Sequence, residues 1–396
     1  MSNSTHATRS MLGRRRRIAS VAAIATCLTA GALIATAPLG DAAAAERKSE
    51  AASLQKDLDA LVGAGVPGAI LLVRDGDRSV RLTAGLGDVT HKTAMRPDDH
   101  FKIASLTKTY TATVVLQLVA EGKLRLSDSV ERRLPGVVPN GHNITIRQLL
   151  NHTSGLADFE ADPRYLEPYL SGDLGYYWSP RELVEMAVSH EPLFVPGKTE
   201  HASYSSTNYV VAGLIVEKVT GSSIGAELKR RIFEPLRLRE TTYPTRPGLP
   251  SPFAHGYMVL GNPPAIDVTG LSHSMSPASG AIVSTAVDVA DFYRGLLSGR
   301  LLRADLLTAM KTTISEGDKV DIPGQRYGLG LELFPTSCGD ALGHNGVVPG
   351  YQTFIFSTEN GQRQALLMMN HDSATAPRAA GEAFFEIIDK AFCSRA

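Results

Sequence analysis

Residues 352–370 read QTFIFSTENGQRQALLMMN, two apolar runs around a polar centre. Gln352–Ser357 and Gln364–Asn370 have strand length and composition, and Glu359-Asn360-Gly361 between them is a strong tight-turn signal. A segment of this kind folds back on itself, so its strands pair antiparallel. The pattern recurs near the start, where Ala69–Arg74 and Ser79–Leu86 flank Asp75-Gly76-Asp77. Tyr327–Phe334 predicts one further strand.

Helical periodicity fills the rest. A short amphipathic helix is expected over Ser53–Val62 and a long one over Ser105–Glu121, ended by Gly122. Further helices are expected over Thr145–His152, Pro180–Ser189, Tyr209–Val219, Ile224–Phe233 and Ala376–Phe392. Another starts at Thr285, where Thr285 and Asp288 fit a capping box. Thr241–Ser279 reads as a long irregular loop. Consecutive hairpins favour an antiparallel sheet over a doubly wound one. The expected class is therefore α/β of the α+β type: an antiparallel β-sheet flanked by helices, built from 46–125 and 271–396, with 126–270 inserted as a mostly helical lobe. A cleft between such lobes is a natural site.

The N-terminus has the order of an export signal. Arg9 and Arg14–Arg17 precede an apolar run, Ile18–Ala37, and Ala42–Ala45 precede the return of charge at Glu46. Residues 1–45 are read as a signal peptide that leaves no stable membrane anchor once cleaved, and the protein as secreted. The chain has 40 basic and 40 acidic residues; losing the signal leaves 35 against 39, which gives no electrostatic footprint for nucleic acid. Hydrophobic residues make up 43% and charged residues 20%, a globular composition that excludes a disordered chain. Cys27 lies in the signal, and Cys338 and Cys393 remain as an even pair in an oxidising compartment. They are expected to form a disulfide, worth about 4 kcal/mol in the chain-entropy view; two separate buried thiols are the alternative.

No phosphate-binding loop, H-E-x-x-H, C-x-x-C pair or G-x-S-x-G elbow occurs, and the histidines lack metal-ligand spacing. No cofactor or metal is expected. Three short elements could carry chemistry. The first is Ser105-Leu106-Thr107-Lys108. A serine and a lysine three apart share one helix face, and a neutral lysine amine can take the serine proton. The Ser105 N–H at the helix start could donate to an oxyanion. The other reading is an N-cap with a snorkelling lysine. A second copy, Ser53-Leu54-Gln55-Lys56, reads as a solvated face with a cap. The second element, Tyr204-Ser205-Ser206-Thr207-Asn208, offers a phenol whose pKa Lys108 could lower, and serine and amide groups for a substrate amide. It could equally be a core tyrosine followed by a Ser206 or Thr207 helix cap. The third, His344-Asn345-Gly346-Val347, could bring backbone close to a substrate and supply the Val347 N–H as a second oxyanion donor, or be a turn with a surface histidine.

Together and in this order, the three elements resemble those of the penicillin-recognising serine hydrolases (the β-lactamase/transpeptidase family). The likeness is greatest to the D-alanyl-D-alanine carboxypeptidase and class C β-lactamase branch. Thr145–Leu156, Pro196-Gly197, Thr207-Asn208-Tyr209, Tyr327–Gly330 and Gly343–Tyr351 are similar to that family too. The resemblance implies that Ser105 is acylated, that Lys108 and Tyr204 share the base and acid work, and that His344 assists electrostatically. It also implies an oxyanion hole from the Ser105 and Val347 N–H groups, and a small peptide or other acyl substrate of peptidoglycan origin. β-Lactams would be acylating inhibitors or substrates. Two positions depart from the pattern: Ser206 stands for the Asn of Tyr-Ser-Asn, and Asn345 for the Thr of the third motif. The strand that should carry a carboxylate-clamping Arg has Glu332, with Arg326 just before it. The expected activity is D-alanyl-D-alanine carboxypeptidase. The alternatives are an esterase, a D-amino-acid amidase or aminopeptidase, a β-lactamase, and a non-catalytic penicillin- or peptide-binding protein.

Overall fold

The computed structural model describes residues 39–258, 265–317, 322–372 and 375–394, with side chains from 45 onward. Most of the expected signal, including Cys27, lies outside them. Nine strands form one antiparallel sheet: β1 (Gly68–Asp75), β2 (Arg78–Asp88), β3 (Thr93–Ala94), β4 (Ile314–Ser315), β5 (Arg326–Tyr327), β6 (Glu332–Thr336), β7 (Gly339–Val348), β8 (Tyr351–Ser357) and β9 (Arg363–Met369). Their order across the sheet is β3-β2-β1-β9-β8-β7-β6-β5-β4. Both predicted hairpins form. β8 and β9 pair from Gln352↔Met369 to Ser357↔Gln364, and β1 joins the last strand of the chain from Ala69↔Met369 to Asp75↔Arg363.

The expected strand Tyr327–Phe334 is two strands, β5 and β6, broken at Gly328-Leu329-Gly330. Gly330 has φ +77°, which a continuous strand does not allow, and a Cβ there would lie 2.5 Å from the Ala112 Cβ. The chain reverses there, Gly328 N donating to Leu331 O at 2.7 Å, so β5 and β6 pair antiparallel at Glu332↔Tyr327 and Leu333↔Arg326.

Alternate residues of one strand face opposite layers. In β8, Phe354 and Phe356 pack with Phe334, Phe384 and Phe392 under helices α1 (Leu39–Gly63) and α2 (Arg378–Cys393), whereas Tyr351 and Ile355 join the larger core on the other side. The first helix outruns its predicted bounds, and Ser53 sits inside it rather than capping it. The Ser53 Oγ accepts from Lys390 Nζ at 3.0 Å, so this second Ser-x-x-Lys copy is a helix-to-helix contact. Cys338 and Cys393 are joined, Cα–Cα 5.6 Å, tying the last helix to the turn between β6 and β7.

Among its described residues, the stretch 126–270 holds helices joined by loops, with a short β-pair of Tyr257–Met258 and Ile266–Asp267. Ile146–Leu150 starts at a full capping box in which Thr145 and Gln148 exchange bonds. Thr285 makes only half of one: its Oγ1 accepts from Asp288 N, while the Asp288 carboxylate accepts from Glu240 N and Thr241 Oγ1. The expected Ile224–Phe233 helix is α-helical to Leu228 and passes into a π-turn at Lys229–Phe233.

Candidate active site

The site begins where a short strand turns into a helix. Phe101–Lys102 pairs with Val283–Ser284, and Ile103 N donates to Ile282 O at 3.0 Å. Ala104 then takes φ +50°, a costly backbone state for a residue with a Cβ, and the Leu106–Ala120 helix starts immediately after Ser105. Ser105 is already helical (φ −61°, ψ −12°) and its hydroxyl caps nothing. Its Oγ instead meets Lys108 Nζ at 2.9 Å, which decides between the two readings of this motif.

Lys108 is fully buried. Its amine also reaches Ser206 Oγ at 3.2 Å and the carbonyl of Ser279 at 3.2 Å. Burial lowers its pKa to about 8, against the opposing pull of Glu160, Asp158 and Glu332. Ser206, like Ser105, stands at the start of a helix (Thr207–Thr220) without capping it, because its hydroxyl is engaged by the lysine. The Tyr204 ring lies 4.8 Å from Lys108 Nζ, its hydroxyl bonds the Ser105 side chain, and the residue is 36% exposed at the rim. The expectation that Lys108 lowers this phenol's pKa is not met. Desolvation raises it well above the ordinary value and nearby Glu332, Glu160 and Asp158 add to the rise, so Tyr204 is a protonated donor.

The third element forms the opposite wall. β7 outruns β6: their pairing stops at Glu332↔Gly343, leaving 344–348 with an open edge. Asn345 N–H points to that side and donates to Glu332 Oε2 at 2.8 Å. Two residues on, the Val347 N–H points the same way, beyond the end of β6. Gly346 sits against the Ser105 turn, where an added Cβ would lie 2.4 Å from Ile103 O and 3.1 Å from Ser105 N. Only glycine permits that approach. His344 is fully buried with its Nε2 3.0 Å from the Tyr327 hydroxyl. Burial and Lys108 hold its pKa down at about 3, so it enters as a neutral dipole rather than a charge. The register sets Asn345 opposite Phe354, on the other sheet face from His344 and Gly346. Strand alternation thus turns its side chain away from the expected substrate contact.

The profile of the beta-lactamase family matches residues 53–384. The chain belongs to that family. A D-stereospecific amidohydrolase from a Streptomyces species superposes with a TM-score of 0.78 at 39% identity, over 87% of this chain and 99% of that one. A D-amino acid amidase from Ochrobactrum anthropi SV3, solved with D-phenylalanine, gives a TM-score of 0.78 at 28% identity, covering 87% and 98%. Penicillin-binding protein 4 of Amycolatopsis lactamdurans is 29% identical over 333 residues, 78% of this chain and 82% of that protein. This beta-lactamase family chain is therefore a serine-type hydrolase by kinship, with the family's mixed antiparallel fold.

Several residues of the site carried no signal in the three motifs. Asp158 accepts from Ser206 N at 3.0 Å, and Glu160 accepts from Ser276 Oγ at 3.4 Å. Both carboxylates act on Lys108, and burial together with Glu160 raises the Asp158 pKa to about 7. They lie in a loop that neither hydrophobic period nor spacing singles out. Arg326 is turned outward onto Thr313 Oγ1 and O, and Glu332 is buried behind Asn345. Neither offers a cationic clamp for a carboxylate. Asn208 bonds Ser154 and His152, so its amide is engaged behind the second element and is not the group offered to a substrate.

Proposed function

We propose that this protein is an exported amidohydrolase that acylates Ser105 and cleaves amides of D-amino acids bearing a free amino group. The observation that carries the reading is the charge around the nucleophile. Asp158 and Glu160 place carboxylates beside Lys108, whereas Arg326 is bound elsewhere. Asp158, held partly protonated by burial and by Glu160, ionises most readily beside a cation, so the pair suits a substrate ammonium and opposes a terminal carboxylate. The D-stereospecific relatives support the same substrate class.

In the proposed cycle the neutral Lys108 amine takes the proton of Ser105 Oγ as that oxygen attacks the amide carbonyl. The oxyanion receives the N–H groups of Ser105 and Val347. The Tyr204 phenol protonates the departing nitrogen, and the C–N bond breaks to leave an ester on Ser105. Water then attacks that ester and gives a proton to the Tyr204 phenolate, Lys108 returns its proton to Ser105 Oγ as the C–O bond breaks, and the acid is released.

The test is side-by-side turnover of D-phenylalanine amide, its N-acetyl form and a peptide ending in D-Ala-D-Ala. The free amide is expected to be cleaved fastest. Glu160→Gln should raise its KM by about tenfold, about 1.4 kcal/mol, and leave the KM of the N-acetyl form unchanged. Faster release of D-alanine from the peptide would overturn the reading in favour of a carboxypeptidase acting on wall-derived peptides, which the penicillin-binding relatives support. Export rests on the basic, apolar and small-residue order of 1–45 and on a disulfide suited to an oxidising space. N-terminal sequencing of protein from the culture medium should begin at Glu46.

A further inference from the structure

We propose that His152 is a positioning residue for Tyr204, gripping the chain on both sides of that tyrosine and backing its ring. The proposal rests on the role of Tyr204 given above. His152 O accepts from Ser203 N at 2.9 Å, and His152 Nδ1 accepts from Ser205 N at 3.1 Å. The two residues flanking Tyr204 are thus tied to one histidine. The same Nδ1 lies 3.0 Å from Asn208 Nδ2, which anchors the first turn of the following helix. An Nδ1 that accepts fixes the tautomer with its proton on Nε2, and Nε2 has no hydrogen-bond partner in its buried position. The ring packs 4.4 Å from the Tyr204 ring at a 32° tilt, and 4.5 Å from the Tyr327 ring, whose hydroxyl meets His344. One residue therefore joins the tyrosine of the second motif to the histidine of the third. His152 does this from φ +57°, a strained state for histidine. A side chain held fully buried, strained and under-bonded beside Lys108 calls for a role beyond packing.

The test uses His152→Ala, His152→Asn and Tyr204→Phe, read by acylation with D-phenylalanine 4-nitroanilide, whose departing nitrogen needs the Tyr204 proton. Asparagine tolerates the positive φ and puts an amide oxygen near the place of Nδ1, so it keeps the grip without the ring. His152→Ala should lower the acylation kcat by about 10²-fold, the scale of an ångström misplacement, with KM within twofold. His152→Asn should restore most of it. In the Tyr204→Phe background His152→Ala should cost nothing more, because both changes remove one function. An equal further loss in that background would overturn the proposal, as would His152→Asn falling as far as His152→Ala. A readout free of catalysis keeps failure of the Tyr204 role distinguishable: amide hydrogen exchange at Ser205, whose N–H the ring nitrogen holds, should speed up in His152→Ala and stay slow in His152→Asn, while Ser203, held by the backbone carbonyl, stays slow in both. Unchanged exchange at Ser205 in His152→Ala would also overturn it.

Discussion

The two faces of the sheet use the same strands for opposite ends. On one, Leu71, Val73, Phe334, Phe354, Phe356 and Leu367 meet α1 and α2 in an apolar core. On the other, the buried set includes Lys108, His152, Asn208 and His344. Each of those groups is costly to bury, and each is held by named partners on the Ser105 side. The contrast teaches that stability and chemistry are separated by strand alternation. The first face packs apolar groups alone against two helices, whereas the larger apolar core on the other face also holds a lysine away from water.

The separation can be broken or sharpened by experiment. The largest effect is expected on the polar face. Ser105→Ala should lower turnover at least about 10³-fold, as when a nucleophile that works within a unit is lost, without lowering the unfolding midpoint. Full retained activity would end the mechanism. On the apolar face, Phe354→Ala should cost about 3–5 kcal/mol of stability, read by denaturant unfolding, with the acylation rate of the remaining folded protein unchanged. A large rate loss would show that the faces are coupled. Removing the disulfide with Cys338→Ser and Cys393→Ser should cost about 2–4 kcal/mol and again spare acylation. Mass analysis of the unreduced, alkylated protein should find neither cysteine labelled.

The smallest effect is the pH limb. The Lys108 pKa is lowered by burial, so its neutral amine becomes available near pH 8 instead of above 10. The acylation rate should fall about tenfold per pH unit below that point and level off above it. Asp158, Glu160 and Glu332 oppose the drop, so Glu160→Gln should move the limb to lower pH. A limb near 10 would show a lysine in ordinary solvent and remove the basis of the contrast.

Much was legible because local signals are strong where the chain has few choices. Asn360-Gly361 between two apolar runs allowed only a hairpin, and the Thr145 and Pro180 helix starts follow from capping residues. The Ser105–Lys108 pair was legible as spacing on a helix. The break at Gly328–Gly330 was not, since its cause is Ala112 of another element. Nor was the protonated state of Tyr204, because the burial that sets it and the carboxylates that add to it come from segments more than forty residues away.

What the sequence determined by itself is the set of hairpins, the amphipathic helices and the order of the three motifs, all products of neighbours along the chain. Only the tertiary structure decided that Ser105 and Ser206 leave their capping positions to a buried amine. It alone decided which sheet face Asn345 joins and that Asp158 and Glu160 line the site. The physical reason is that burial and charge are set by what packs around a group, and here those neighbours come from distant segments.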